Sequence, residues 1–187
     1  MNIKLKDSSM NTPQEFIGTE HDFDFLVGHW HVTNRRLRQR GVASQDWDTF
    51  EAQSQGWSLL GGGVSVDEIH FGTRGFSGCT VRTLDRATRQ WAIYWINSTD
   101  GRLFPPVHGG FAGRRGEFHG IDEDGGLPVK VRFVWTVQGP DEARWEQAFS
   151  ADGAHWETNW VMAFRRSASL SQPHWPPPAG PVSGASP

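Results

Sequence analysis

Residues 129–166 read VKVRFVWTVQGPDEARWEQAFSADGAHWETNWVMAFRR, which is three runs of strand-forming residues separated by two turn sequences. In the first run Val131, Phe133 and Trp135 occupy every second position, so they share one face of an extended strand. The turn sequences are Gly139-Pro140-Asp141 and Asp152-Gly153, whose residue types favour tight reversals. This stretch predicts three consecutive antiparallel strands.

The same alternation continues upstream, where short apolar runs are separated by polar and glycine-containing turns. It predicts about ten strands in all, at residues 30–38, 46–59, 64–71, 76–84, 90–97, 108–112, 117–120, 129–137, 143–150 and 155–166. One helical turn is expected near residues 19–27, where Asp22 or Asp24 would cap it. Short strands that follow one another in order predict an all-β, up-and-down antiparallel barrel, because closure removes exposed strand edges.

The 187 residues fit one domain with a segment on either side. Residues 1–20 are polar and aperiodic and are expected to form a flexible N-terminal arm, while residues 21–166 form the barrel domain. Residues 167–187 are rich in Pro, Ser and Gly and contain three consecutive prolines, so we expect a disordered tail there.

The composition excludes several classes of partner. The formal net charge is −3, from 18 basic and 21 acidic residues, so the chain lacks the basic surface that nucleic-acid binding needs. No stretch approaches the roughly 20 apolar residues of a membrane span, and the N-terminal residues lack the apolar run of a secretory signal. We therefore expect a cytoplasmic protein with no nucleic-acid partner and no membrane partner. The single cysteine, Cys79, has no partner for an internal disulfide.

The start of the barrel region carries a family resemblance. Residues 21–32 read HDFDFLVGHWHV, which resembles the Phe-Leu-x-Gly-x-Trp entry of lipocalin-like proteins of the calycin superfamily, in which Gly-x-Trp closes the barrel floor. The chain more closely resembles the bacterial DUF1579 family of unknown function, through Leu59-Leu60-Gly61-Gly62-Gly63, Asp67-Glu68, residues 91–95, residues 144–150 and residues 156–162. The resemblance covers residues 21–166. It implies a calycin-type barrel with a central cavity, commonly paired as a homodimer, and no established reaction.

Strand alternation gives an independent route to the cavity. Alternate residues of a barrel strand point inward, so polar residues that share a face with bulky apolar ones are expected inside. This rule assigns these residues to the interior: Trp30, Val32, Asn34 and Arg36; Trp47, Thr49, Glu51, Gln53, Gln55, Trp57 and Leu59; Val64, Val66, Glu68 and His70; Phe76, Thr80, Arg82 and Leu84; Val131, Phe133 and Trp135; Trp145, Gln147 and Phe149; Trp156, Thr158, Trp160, Met162 and Phe164.

These assignments predict a cavity that binds a flat or aromatic small molecule with a polar or anionic group. Apolar walls with a few convergent polar groups are the usual composition of ligand sites. The predicted ligand-binding residues are Trp30, Asn34, Arg36, Gln53, Trp57, Arg82, Trp145, Gln147 and Trp160. Arg36, Arg82, Glu51 and Glu68 must pair with each other, meet a ligand or contact water, because an isolated buried charge is costly. The alternative is that bulges shift the register and turn the charges outward, since a slip of one residue reverses every assignment.

Two other functions fit the same residues. The first is a cofactor-independent isomerase or cyclase that acts on a small carbonyl compound, with Glu68, Glu51 and His70 as acid and base groups. A carboxylate in an apolar pocket has a raised pKa that suits such chemistry. The second is a structural or interaction role through Trp-rich outer faces and dimerisation.

Metal and cofactor chemistry finds little support in the sequence. His29 and His31 share a strand face opposite Trp30, but a zinc site needs a third ligand from elsewhere, such as His119. Residues 160–164 contain no histidine that could hold a haem iron, as nitrobindin-type barrels do. No Gly-x-Ser-x-Gly motif is present, and Gly61-Gly62-Gly63 is expected to form a turn between strands. We therefore predict no metal and no cofactor.

Overall fold

The computed structural model describes residues 15–168. Most of the expected N-terminal arm and of the expected C-terminal tail lies outside the described residues. Within them the chain forms ten strands: β1 (Gly28–Leu37), β2 (Trp47–Leu59), β3 (Val64–Phe71), β4 (Phe76–Asp85), β5 (Gln90–Asn97), β6 (Val107–Ala112), β7 (Arg115–Asp124), β8 (Leu127–Val137), β9 (Glu142–Ser150) and β10 (Glu157–Arg166). Single turns of 3-10 helix occur at Asp24–Leu26, Leu60–Gly62 and Gly72–Arg74.

The strands close into one antiparallel barrel. Each strand pairs with its neighbour in sequence, and β1 also pairs with β10, so that the sheet has no free edge. At the closing seam Trp30 lies opposite Arg166, and Arg36 lies opposite Trp160. The all-β up-and-down barrel predicted from the sequence is confirmed. In the part of the chain that the structure describes, no helix is long and apolar enough to cross a membrane.

Residues 15–27 close one end of the barrel, which we call the floor. Ile17 exchanges backbone hydrogen bonds with Phe111, and Phe23 packs edge-to-face on Trp91 with ring centroids 5.0 Å apart. The expected helical turn is the 3-10 turn Asp24–Leu26, and it has no side-chain cap. Asp22 instead accepts a hydrogen bond from Trp91 Nε1 at 3.0 Å.

The floor is fixed to the strands by contacts between side chains and backbone carbonyls. Trp30 Nε1 donates to the carbonyl of Leu26 at 2.9 Å. Gly56 faces the same carbonyl, and a Cβ at this position would lie 2.3 Å from the oxygen. Arg166 donates to the carbonyls of Val27 and Phe25 at 2.7 Å and 3.1 Å. The guanidinium of Arg166 also lies 4.3 Å from the centre of the Trp30 ring. These contacts hold residues 25–27 across the barrel end.

The interior does not follow the expected alternation on every strand. The inward assignment is correct on β1, β4, β8 and β9 and on β10 from Trp160 onward. It is wrong on β2 and β3, whose buried residues are Phe50, Ala52, Ser54 and Gly56, and Ser65, Asp67, Ile69 and Phe71. The sequence rule failed on β2 because the inward residues there are small where the floor approaches, while bulky Trp57 and Leu59 face outward. The register of β10 also shifts between Thr158 and Trp160, so Trp156 does not share the inward face of Trp160.

Candidate functional site

A cavity of about 280 Å³ lies inside the barrel, between the floor and the opposite end. Its deeper wall includes Trp135 and Arg82, and its outer rim includes Asn97, Phe104 and Asp124. These rim residues belong to the ends of β5 and β7 and to the loop after β5, so the cavity opens at the barrel end opposite residues 15–27. We call this open end the mouth.

Aromatic rings form one wall of the cavity. Trp145 packs edge-to-face on Trp160 with centroids 5.8 Å apart, and on Phe133 with centroids 4.9 Å apart. Trp95 lines the cavity from β5, and its ring lies across Gly78, where a Cβ would be 1.7 Å from the ring. Rings fixed in this way form a preformed surface for a flat apolar molecule.

Arg36 presents a cation to the cavity. Its guanidinium lies 4.5 Å from the centre of the Trp160 ring. Among the described residues, no carboxylate forms an ion pair with Arg36 and no side chain forms a hydrogen bond with it. Burial lowers the pKa of Arg36, the neighbouring Arg40 lowers it further, and Asp124 opposes the change. Because an arginine stays protonated even with a lowered pKa, Arg36 remains a cation that an anionic group would stabilise.

Arg82 is neutralised within the barrel. Its Nη2 atom lies 2.5 Å from Asp67 Oδ1, as an ion pair that lacks the alignment of a hydrogen bond. Asp67 Oδ2 accepts a hydrogen bond from Thr80 Oγ1 at 3.2 Å, and Arg82 Nη1 donates to Ser65 Oγ at 3.4 Å. The guanidinium also lies 5.0 Å from the centre of the Phe23 ring in the floor. The sequence left open whether Arg82 pairs with a glutamate, meets a ligand or contacts water, and its partner in the structure is Asp67, which was not among the residues assigned to the interior.

Two buried amide groups fix the aromatic wall. Trp160 Nε1 donates to Asn34 Oδ1 at 3.0 Å, and Asn34 Nδ2 donates to the carbonyl of Val32 at 3.2 Å. Gln147 Nε2 donates to Asn159 Oδ1 at 2.9 Å, next to the register shift of β10. Gln147 lines the cavity, whereas Asn34 lies behind it and orients Trp160.

An ion pair crosses the mouth. Arg40 follows β1 and Asp124 ends β7, and three strands separate β1 from β7 in the barrel. Arg40 Nε lies 3.1 Å from both carboxylate oxygens of Asp124, and Arg40 Nη2 donates to Oδ1 at 2.5 Å. The hydrogen bonds from Arg40 lower the pKa of Asp124, and the same bonds raise the pKa of Arg40. The pair therefore connects opposite sides of the cavity opening.

The predicted ligand-binding residues divide into three groups. Arg36, Arg82, Trp145, Gln147 and Trp160 line the cavity. Trp30 and Asn34 are buried but do not line the cavity. Trp30 contacts the floor, and Asn34 lies behind the aromatic wall. Gln53 and Trp57 face outward from β2, so their expected inward orientation is wrong.

The predicted acid and base residues do not line the cavity. Glu51 is exposed and accepts a hydrogen bond from Thr33 Oγ1 at 2.9 Å. Glu68 and His70 alternate with buried Asp67 and Ile69, so both face outward from β3. Burial raises the pKa of Glu68, and the charge of His70 opposes this change. Both side chains lie on the outer surface of the barrel, away from the cavity. The inward orientation expected for these three residues is wrong, and their catalytic role stays a prediction.

Sequence reasoning missed Asp67, Trp95 and the Arg40–Asp124 pair. Asp67 was overlooked because Glu68 was assigned to the interior in its place. A usable signal was available, since Asp67 alternates with the bulky apolar residues Ile69 and Phe71 along β3. No cluster of three or more histidine, cysteine or carboxylate side chains suitable for a metal ion occurs within residues 15–168.

The comparisons with known proteins add no family assignment. No protein-family model matches the chain, and the search of curated proteins gives no match. The resemblance to DUF1579 proteins therefore stays a prediction.

Proposed function

We propose that this barrel binds a small flat or aromatic molecule that carries one anionic group. The anionic group would contact Arg36, and the apolar body would lie against Trp145, Trp160 and Trp95. The observation that carries this proposal is the Arg36 guanidinium, which lines the cavity without a carboxylate partner among the described residues.

The charges of the cavity favour one anionic group rather than two. Arg82 is paired with Asp67, and Arg40 is paired with Asp124, so these two cations are already neutralised. Asp122 and Glu123 also line the outer part of the cavity, and neither has an ion-pair partner within the described chain. A second negative group near the mouth would be repelled by these carboxylates. The single anionic group would therefore contact Arg36, which lies near the mouth end of β1 close to Arg40 and Asp124, and the apolar body of the ligand would extend deeper into the cavity.

The cavity volume limits the size of the ligand. The volume of the cavity is about 280 Å³. Ligand pockets usually begin at about 300 Å³. This comparison favours a molecule with one or two fused rings.

The test measures binding of 2-naphthoate and of its neutral analogue 2-naphthamide by tryptophan fluorescence and calorimetry. Arg36→Gln should weaken 2-naphthoate binding by roughly 10- to 100-fold, because a hydrogen bond to a charged group contributes about 1.5–3 kcal/mol. Binding of 2-naphthamide should change little. The matched control is Arg35→Gln, since Arg35 is the neighbouring residue, faces outward and lies 5.1 Å from the Trp47 ring.

The proposal would be refuted if Arg35→Gln and Arg36→Gln weakened 2-naphthoate binding equally. It would also be refuted if wild-type protein bound neither naphthalene compound and an extended series of one- and two-ring aromatic acids gave no fluorescence change.

The isomerase or cyclase alternative has no observation in its favour, because Glu51, Glu68 and His70 lie outside the cavity. It stays a prediction. The expected cytoplasmic location and the expected lack of a nucleic-acid partner also stay predictions.

A further inference from the structure

Gln147 directs a polar atom without a partner toward the cavity. The residue lines the cavity and is only 9% exposed. Its Nε2 donates to Asn159 Oδ1, whereas no group within residues 15–168 donates to its Oε1. Four polar side-chain atoms of the described chain are both unpaired and sealed from solvent, and Gln147 Oε1 is not one of them. Because the side chain points into the barrel, this carbonyl oxygen is reachable from the cavity.

A row of inward-facing residues places Gln147 deeper in the barrel than Arg36. The row crosses strands β1, β10, β9, β8 and β7, on which the directly opposite residues are Arg36, Trp160, Gln147, Phe133 and Phe118. At one end Arg36 lies near the mouth, and at the other end the Phe118 ring lies 5.8 Å from the Phe23 ring of the floor. The row descends in this way because the strands of a barrel are tilted against its axis. Gln147 therefore lies between the mouth and the floor.

Trp160 separates the two polar groups. Two strand intervals of about 4.8 Å lie between Arg36 and Gln147, so their backbones are about 10 Å apart. Trp160 lies between them in the row, with the Arg36 guanidinium 4.5 Å from its ring centre. The hydrogen bond to Asn34 holds the Trp160 ring in place. A flat molecule that lies against Trp160 therefore contacts Arg36 at its outer end and Gln147 at its inner end.

The unpaired atom of Gln147 is a hydrogen-bond acceptor. The positive charge of Arg36 in the same row favours the amide orientation in which Oε1, the negative end of the amide dipole, faces the cavity. The Thr80 hydroxyl, which also lines the cavity, donates to Asp67 and not to Gln147. An amide oxygen that loses water without gaining a donor carries a desolvation cost. A ligand with a donor at this position avoids the cost, whereas a purely apolar ring incurs it.

We propose that the ligand of this cavity carries a neutral hydrogen-bond donor at the end opposite its anionic group, and that this donor binds Gln147 Oε1. The ligand class is then an aromatic acid with a hydroxyl or amino group on the ring distant from the acid, rather than a plain aromatic acid. Gln147 is the residue that distinguishes the two. This inference rests on the function proposed above, because it takes the anionic group to lie at Arg36.

The test is calorimetry of the full chain with 5-, 6- and 7-hydroxy-2-naphthoate, with their methyl ethers and with 2-naphthoate. At least one hydroxyl isomer should bind roughly 3- to 10-fold more tightly than 2-naphthoate, the gain expected from one neutral hydrogen bond, and its methyl ether should not. In Gln147→Met this gain should disappear, because methionine has a similar length and no amide. The matched control is Gln53→Met, which makes the same exchange on the outer face of β2 and should keep the gain. The gain is a ratio measured within each variant, so a general change in affinity does not affect it.

The outcomes separate this inference from the function proposed above. If 2-naphthoate binding depends on Arg36 but no hydroxyl isomer gains affinity, or if the gain survives in Gln147→Met, the donor contact is overturned and the proposed function stands. An equal gain for the methyl ether also overturns the contact, since Gln147 would then present its amide N–H to the cavity. If none of the acids binds, 2-naphthol is compared with 2-methoxynaphthalene. A gain for 2-naphthol that is lost in Gln147→Met supports the donor contact and overturns only the anionic group, whereas no gain overturns both.

Discussion

Removal of the Asp67 carboxylate should destabilise the barrel more than removal of an exposed carboxylate. The Arg82 side chain is 4% exposed and that of Asp67 is 11% exposed, so Asp67→Ala leaves a buried guanidinium without its counter-ion. Breaking one side of a buried ion pair costs about 3–5 kcal/mol. Two features of the structure favour the lower end of this range. The pair lines a cavity that water can enter, and Arg82 retains its contact with the Phe23 ring.

The assay is urea unfolding followed by tryptophan fluorescence, with an unchanged slope as evidence that only stability has changed. A loss of about 3 kcal/mol corresponds to a fall in Tm of roughly 6–12 °C for a domain of this size. Glu142→Ala is the control, because Glu142 pairs with Arg165 on the surface and such pairs contribute about 0–1 kcal/mol. The double variant Asp67→Val with Arg82→Met should recover most of the loss, since apolar replacement of a buried pair is often neutral.

The reasoning would be refuted by an Asp67→Ala variant within about 1 kcal/mol of wild type, the contribution of an exposed pair. A double variant less stable than the single one would refute it too. The same result bears on the cavity, because the assignment of Arg36 as its unpaired cation assumes that Asp67 neutralises Arg82.

Two further predictions concern Trp95 and the turn before β10. Gly78→Ala should displace the Trp95 ring, change the near-ultraviolet circular dichroism and destabilise the fold by about 1–3 kcal/mol through overpacking. Gly139→Ala is the control, because a Cβ at this position meets no atom within 4 Å, and it should change neither the circular dichroism nor the stability. In the turn before β10, the hydrogen bond that His155 donates to the Asp152 carboxylate raises the pKa of His155, and the same bond holds the pKa of Asp152 well below its usual range. The contact is therefore lost when Asp152 is protonated at low pH and when His155 is deprotonated at high pH. Proton NMR should show His155 titrating above its ordinary value, and Asp152→Asn should return it toward that value; an unchanged titration would contradict the assignment.

Much of the fold could be predicted because antiparallel strands of this barrel are local in sequence. The bounds of β3 and β5 were predicted to the residue, since both strands have period-two patterns between clear turns. The position of β7 was predicted only in part, because residues 121–124 are mostly acidic and do not resemble a strand. Their strand conformation depends on pairing with β8 rather than on their own propensity.

The orientation of β2 and β3 could not be predicted by asking which face is bulkier. That rule works where large residues fill the interior, as Trp145 and Phe149 do on β9. It fails where the interior needs small residues, as at Gly56 beneath the Leu26 carbonyl, and where large residues cover the outside, as Trp57 does. The contacts between Arg166 and the floor could not be predicted from a local sequence pattern either, because the acceptor carbonyls of Phe25 and Val27 precede Arg166 by more than 130 residues.

Charge pairing across the described chain sets Arg36 apart from the other arginines of the barrel interior and mouth. Arg40 and Arg82 are paired with aspartates, whereas Arg36 is not. An unpaired cation inside the barrel is costly, because it has lost part of its hydration and has gained no counter-ion. An anion that contacts Arg36 relieves this cost, whereas Arg82 and Arg40 already have carboxylate partners. This difference is the reason that Arg36→Gln is expected to weaken binding of 2-naphthoate and to change binding of 2-naphthamide little.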